Sequence, residues 1–361
     1  MAPLSLADPV RIGSVQTKNR ICVPPMVMYH HVGPDGMAVD YNVEHYGRLA
    51  RGGAGLIIQE ATCIAPEGRL SAGQLGIWSE EHIPGLRRIV EAVHREQTPV
   101  FVQLHHGGIM STMGRRVCPS DYTLTIKQAN AGQREDVHQV RGLALTLREI
   151  EEIRDAFIQA GRRAYQAGYD GVELHGCHSY LLCQFLNKNV NRRTDRYGDG
   201  LLLVEEIAEG IRKATSADFV IGIRLGGFEP ALADGIAHAR ALAAAGLEFL
   251  DVSYGFSGEM ELNAPGNPAF SQAVRAAATI KQAVDIPVLA VDGIRSPADA
   301  KAVLEETGVD LVDVGRSILV DPQWPNKALA GEIAGTCLDC KTCQWRIDER
   351  RCPGRRKLEQ N

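Results

Sequence analysis

GVELHGCHSYLLCQFL, residues 171–186, is the stretch whose reading decides the fold. It opens with Val172 and Leu174 behind Gly171, the apolar pattern of a short buried strand. His175, His178 and Tyr180 then place three hydrogen-bonding side chains within six residues, and Leu181, Leu182, Phe185 and Leu186 return at helical spacing. A strand that ends in two imidazoles and a phenol sets polar groups at its mouth. In a barrel of alternating strands and helices, that mouth is where chemistry sits. Taken alone, the same residues also read as a pair of satisfied surface histidines, so the surrounding chain has to decide.

Working outward, the same grammar repeats. Upstream, apolar runs at 20–23, 55–58 and 99–102 end at Pro24-Pro25-Met26, at Gln59-Glu60, and at Gln103 and His105. Downstream, runs at 219–223, 248–252, 286–290 and 310–314 end at Arg224, at Ser253-Tyr254, at Asp292-Gly293 and at Gly315-Arg316. Helical patterns fall at 44–51, 83–96, 147–167, 203–215, 233–245, 270–283 and 297–307. Ser296 before Pro297 is an N-cap with proline in the first turn, and Gly168 and Gly246 are C-terminal stops. Eight strand-then-helix units predict an α/β chain folded as a closed (β/α)8 TIM barrel over 1–335. An open doubly wound sheet is the alternative, but no GxGxxG follows the first strand. Residues 107–146 are too long for an ordinary loop after strand three and are expected to form a lid or substrate-facing excursion. Residues 336–361 form a short Cys- and Arg-rich C-terminal tail.

Composition narrows the partners. The 361 residues carry 39 Lys and Arg against 44 Asp and Glu, a formal charge of −5, and no long basic cluster, which argues against nucleic acid and acidic membranes. No run of eighteen apolar residues suggests a membrane span, and the first ten residues lack the pattern of a secretory signal. Nine cysteines, five scattered and four clustered, do not make a disulfide scaffold, so a reducing cytoplasm is the expected compartment.

The strand ends form one inventory. Asp292-Gly293-Ile294-Arg295 and Gly315-Arg316-Ser317 match the phosphate site that such barrels build after their last two strands, where glycine admits backbone N–H groups and arginine neutralises charge. Gln103 and Arg224 set an amide and a fixed cation at the same mouth. Together they ask for a phosphate-bearing planar cofactor.

In its ordered motifs the chain resembles the Old Yellow Enzyme family of FMN-dependent NAD(P)H oxidoreductases. These are NRICVPPM at 19–26, GLIIQEAT at 55–62, QLHHGG at 103–108, GYDGVELHGCHSYLLCQFL at 168–186 and NRRTDRYG at 191–198. The resemblance implies FMN held by Pro24, Pro25, Met26, Val27, Ala61, Gln103, Arg224, Gly293, Gly315 and Arg316, with NAD(P)H as reductant. It further implies that His175 and His178 bind the carbonyl oxygen of an enone or enal, where enolate charge develops. Tyr180 protonates the α-carbon, Tyr29 lines the pocket, and the flavin delivers hydride to the β-carbon. A homo-oligomer is compatible with this reading.

Three departures stand out. Val27 occupies a position where the family usually carries Cys or Thr, and an aliphatic side chain cannot hydrogen-bond the flavin. Gly107 and Ile109 stand where Ala and Arg are common. Gly198-Asp199-Gly200-Leu201 departs from the usual continuation. In the tail, Cys337, Cys340, Cys343 and Cys352, the last followed by Pro353, resemble an iron–sulfur run of the dienoyl-CoA reductase and trimethylamine dehydrogenase branch. A 4Fe–4S cluster ranks ahead of zinc there, and unligated thiols are the third reading. The function expected is an FMN-dependent ene-reductase, with a cluster-bearing electron-transfer flavoenzyme as the alternative. A non-catalytic flavin protein does not need the intact His175, His178 and Tyr180. A flavin-free sugar-phosphate barrel predicts a lysine or acid pair at the strand ends, which the sequence does not show.

Overall fold

The computed structural model describes residues 4–28, 31–128, 136–345 and 348–359. Eight strands pair in parallel and in chain order: β1 Ile21–Val23, β2 Leu56–Cys63, β3 Val100–His105, β4 Gly171–Gly176, β5 Val220–Gly226, β6 Leu250–Ser253, β7 Val288–Ala290 and β8 Leu311–Asp313. β8 returns to pair with β1, so the sheet closes as the sequence predicted. The helices α1 Asp40–Arg51, α2 Ile83–His94, α3 Leu147–Ala167, α4 Leu202–Ala214, α5 Leu232–Ala244, α6 Gln272–Lys281, α7 Pro297–Thr307 and α8 Arg316–Val320 follow the strands in turn.

Local chemistry sets the helix ends. Thr146 and Glu149 cap α3 reciprocally, with bonds of 3.2 and 2.8 Å, and Ser296 and Asp299 do the same for α7. Gly168 ends α3 in the left-handed region at φ 97°. α3 and α7 coincide with their expected ranges, whereas α1 begins earlier than its apolar pattern suggests. Its extra turn buries Asn42, a polar residue that hydrophobic periodicity does not register.

The barrel interior is layered because strand side chains alternate with period two. At the bottom, Cys22, Leu56, Ile58, Phe101, Val220, Phe249, Leu289 and Leu311 form an apolar plug. An N-terminal hairpin, Arg11–Ile12 with Val15–Gln16, adds Val10 and Ile12 to it. Gly222 is required there, since a Cβ would lie 2.2 Å from the Phe249 ring. One step up, β3, β4, β5, β6 and β8 turn polar with Gln103, Glu173, Arg224, Asp251 and Asp313. One further step up are His105, His175 and Ser253. The register aligns these residues, pairing Gln103 with Glu173 and Arg224 with both His175 and Asp251.

The insertion after β3 carries a short strand, Val117–Cys118, and an antiparallel pair, Tyr122–Gln128 and Asp136–Ala144. Ile109, Cys118 and Leu124 bury against Cys183, Val190 and Phe256, which pins it beside the mouth. None of its described residues lines either cavity at the barrel mouth, so the expected substrate-facing excursion is not seen among them. Their apolar contacts are spent on the neighbouring loops instead.

The tail packs back on α8. Cys337 N donates to Ser317 Oγ at 3.2 Å and Trp345 Nε1 to the Leu319 carbonyl at 3.1 Å, while Arg48 of α1 pairs with Glu349 at 2.8 Å. Among the described residues, no helix is long and apolar enough to cross a membrane.

Candidate active site

Two neighbouring cavities open at the C-terminal end of the strands. The larger, about 430 Å³, is lined by Pro25, Met26, Val27 and Met28 after β1, Ala61 of β2, Gln103 of β3, His175, His178 and Tyr180 at β4, and Arg224 of β5. Arg316, Leu319, Cys343 and Trp345 close its far side. The smaller, about 280 Å³, lies over β7 and β8 and takes Pro24, Gly293, Arg295, Gly315, Arg316 and Ser317. Pro25, Met26, His178, Arg224 and Arg316 border both. Every described residue singled out for FMN therefore faces one of two adjoining spaces. Tyr29 lies outside the described residues.

The smaller cavity is built for an anion. Gly293 sits at φ 77°, and nothing lies within 4 Å of where its Cβ would be, so a ligand can approach the backbone. Gly315 approaches Met26 Sδ and Pro24, with a Cβ there 3.2 and 3.4 Å away. Arg295 and Arg316 supply two cations. Arg295, part of the Asp292–Arg295 turn read from the sequence as a phosphate site, does line this cavity.

The larger cavity pairs an amide with a cation. Gln103 Nε2 donates to Glu173 Oε1 at 2.7 Å, which leaves its own Oε1 free to accept a hydrogen bond. Arg224 Nε lies 2.9 Å from Asp251 Oδ2, and both residues are buried. An acceptor and a guanidinium side by side suit the pyrimidine end of a flavin, and the adjoining anion site suits its phosphate. The residues present fit FMN.

Beside them runs a chain of imidazoles. His105 Nδ1 stands 3.1 Å from His175 Nδ1, His175 Nε2 stands 3.3 Å from His178 Nδ1, and His178 Nε2 stands 2.7 Å from Ser253 Oγ. Burial keeps all three rings neutral, pushing His105 and His178 down to about 3 and His175 well below its ordinary value. A neutral ring carries one N–H, so each link fixes the next tautomer. With the proton on His105 Nδ1, both His175 and His178 carry theirs on Nε2 and donate onward along the chain. His105 Nε2 is buried without a partner, and the absence of an acceptor there favours that tautomer.

The turn that carries these groups is strained. His178 and Ser179 both lie in the left-handed region, at φ 58° and 65°. It is held by His178 N donating to the Tyr254 carbonyl at 3.1 Å and by Ser257 N donating to Ser179 Oγ at 2.7 Å. Tyr180 follows as the first extended residue before the helix Leu181–Leu186. Its ring meets those of His105 and His175 edge-on, with centroids 4.5 and 4.6 Å apart.

In the tail, Cys337, Cys340, Cys343 and Cys352 all border one small space of about 50 Å³, with Cys340 and Cys343 exposed to solvent. Cys343, Trp345, Leu319 and Arg316 border the larger mouth cavity as well. Among the described residues, the compact trio of ligand atoms within 4.8 Å is His175, Cys177 and His178, not the tail thiols. That trio's imidazoles are engaged with one another and with Ser253. Thiolates around one zinc ion approach to roughly 4 Å, given Zn–S bonds of about 2.3 Å.

A family model described as NADH:flavin oxidoreductase / NADH oxidase matches residues 5–333. The chain is 35% identical over 349 residues to the NADH oxidase of Thermoanaerobacter brockii, a match that covers 91% of this chain and 52% of that protein. It is 33% identical over 339 residues to the NADPH dehydrogenase of Geobacillus sp. (strain WCH70), covering 92% of this chain and 95% of that one. The chain thus spans about half of the first relative and nearly all of the second. Its fold matches the old yellow enzyme homologue of Zymomonas mobilis with a TM-score of 0.77 at 23% identity, over 96% of this chain and 99% of the other.

Proposed function

The chain belongs to the NADH:flavin oxidoreductase / NADH oxidase family, that of Old Yellow Enzyme, and on that premise we propose that it is an FMN-dependent ene-reductase. NAD(P)H gives a hydride, the β-carbon of an α,β-unsaturated carbonyl compound receives it, and a proton reaches the α-carbon. FMN, when bound, supplies the hydride relay. The convergence of His175, His178 and Tyr180 on the cavity that also holds Gln103 and Arg224 carries this reading.

Each residue has a part. Gln103 and Arg224 orient the ring system, while Gly293, Gly315, Arg295 and Arg316 take the phosphate. The N–H groups of His175 and His178, which at rest point to His178 Nδ1 and Ser253 Oγ, would turn to the carbonyl oxygen of a bound substrate and polarise it without adding a competing positive charge. Tyr180 donates the proton. Pro25, Met26 and Val27 exclude water from one side. The test is anaerobic turnover of FMN-reconstituted protein with NADPH or NADH and 2-cyclohexenone. One nicotinamide oxidised per cyclohexanone formed is the expected result, and nicotinamide oxidation that proceeds equally without the enone would overturn it.

The cysteine-lined space supports a second element. We propose that Cys337, Cys340, Cys343 and Cys352 hold a 4Fe–4S cluster, with Cys343 nearest the flavin cavity because it borders both spaces. That position favours single-electron exchange alongside the hydride chemistry. Metal analysis after anaerobic reconstitution with iron and sulfide decides it, about four irons per chain supporting the cluster.

A further inference from the structure

Val27 gives the flavin cavity no hydrogen-bond donor, so tuning of the cofactor falls to the groups beneath it. Those groups form an unusual layer. Glu173, Asp251 and Asp313 lie on β4, β6 and β8 with at most 2% of their surface exposed, and among the described residues Arg224 is the cation that acts on all three. Gln103 rests on Glu173 at 2.7 Å and Arg224 on Asp251 at 2.9 Å.

Three acids around one cation in a dry core cannot all be ionised, since each uncompensated buried charge carries a heavy desolvation cost. One carboxylate balances Arg224, and two protons remain. Glu173 Oε2, both oxygens of Asp251 and both of Asp313 have no conventional donor. Carboxyl O–H groups shared among them would satisfy these oxygens, with Asp251 as the anion that accepts from both neighbours. Burial, with Asp251 as the largest nearby charge, pushes Glu173 and Asp313 well above the usual carboxylate range. Arg224 works against the rise at Asp251.

We propose that Glu173, Asp251 and Asp313 form a proton-sharing carboxyl cluster that positions Gln103 and Arg224 and thereby sets the reduction potential of the bound flavin. The potential part rests on the FMN reading, while the cluster itself does not. Glu173 fixes which end of the Gln103 amide faces the ring. Asp251 offsets the Arg224 charge, and so limits how strongly Arg224 favours the negative charge that gathers on the pyrimidine during reduction. Glu173 and Asp251 are positioning residues, since Gln103 and Arg224 face the larger cavity in their place, while Asp313 also borders the smaller one.

Three variants separate the possibilities. Asp251→Asn removes the counter-charge, and the affinity for reduced over oxidised FMN should rise about tenfold, a potential higher by about 30 mV for a two-electron couple. Glu173→Gln replaces a neutral acid with a neutral amide of the same shape, and that ratio should move by less than about threefold, or about 15 mV. Difference infrared spectra of the flavin-free protein should show a protonated-carboxyl C=O band lost in Glu173→Gln and another lost in Asp313→Asn. If Asp251→Asn does not fold, these infrared bands decide. The proposal is overturned if neither band is lost, or if folded, FMN-bound Asp251→Asn keeps the parent potential. Failure of the parent to bind FMN would instead overturn the ene-reductase reading and leave the infrared test standing.

Discussion

Arg316 and Asp339 pair across the boundary between the phosphate-sized cavity and the cysteine loop. The same carboxylate holds Arg295 at 2.7 Å, so one aspartate of the tail grips both cations of the anion site. Arg316→Ala should therefore weaken FMN binding by about ten- to a hundredfold, the loss expected for a hydrogen bond to a charged group. Riboflavin, which lacks the phosphate, should lose clearly less than FMN by fluorescence-quenching titration, because the anion contact is absent and only the Arg316 edge of the larger cavity is changed. Equal losses for both ligands would place Arg316 elsewhere in the chemistry.

Tyr180→Phe keeps the ring that packs edge-on against His105 and His175 and removes only the hydroxyl. The enone half-reaction should slow by about a hundred- to ten-thousandfold, the range of general-acid catalysis. Flavin reduction by NAD(P)H, followed separately by stopped flow, should change little. A comparable slowing of both halves would show that Tyr180 positions the flavin rather than protonating product.

His105 offers a pH test with a definite sign. Its folded value is pushed down to about 3, below the ordinary imidazole value of about 6.5. Between those values the unfolded chain binds a proton that the folded chain refuses, so stability falls as pH drops through that window, by roughly 1.4 kcal/mol per pH unit. His105→Gln lacks this penalty. Whatever its offset near neutrality, the Tm of the variant should gain steadily on the parent as the pH is lowered from about 6.5 toward 4. A constant difference in Tm would mean that His105 is protonated in the fold.

Cys343→Ser removes the thiol that borders both the tail space and the mouth cavity. Iron retained after anaerobic reconstitution should drop well below that of the parent, while FMN content is kept. Chelation of iron from the parent should leave the flavin spectrum in place, because the ring contacts lie on β3 and β5 and the phosphate contacts in the turns after β7 and β8.

Much of this was legible in the sequence, and for physical reasons. Barrel strands announce themselves as short apolar runs that end in polar residues, and the caps at Ser296 and Gly168 are local signals. Gln103, Arg224, His175, His178 and Tyr180 could be placed together because each ends or follows a strand. What escaped was long-range. Nothing local says that Asp339 reaches across to Arg295 and Arg316, or that Trp345 and Cys343 reach the mouth. Glu173, Asp251 and Asp313 hid inside apolar runs, where their period-two spacing below His175 and Ser253 marked them only once the barrel register was known. The length of the insertion does not by itself tell which way its apolar residues face.

The most direct measurement is an anaerobic absorption titration of FMN-reconstituted protein. NAD(P)H should bleach the oxidised flavin bands, and addition of cyclohexenone without oxygen should restore them, slowly in Tyr180→Phe. Protein that takes up no FMN, or a bleached flavin that only oxygen can restore, would contradict the ene-reductase.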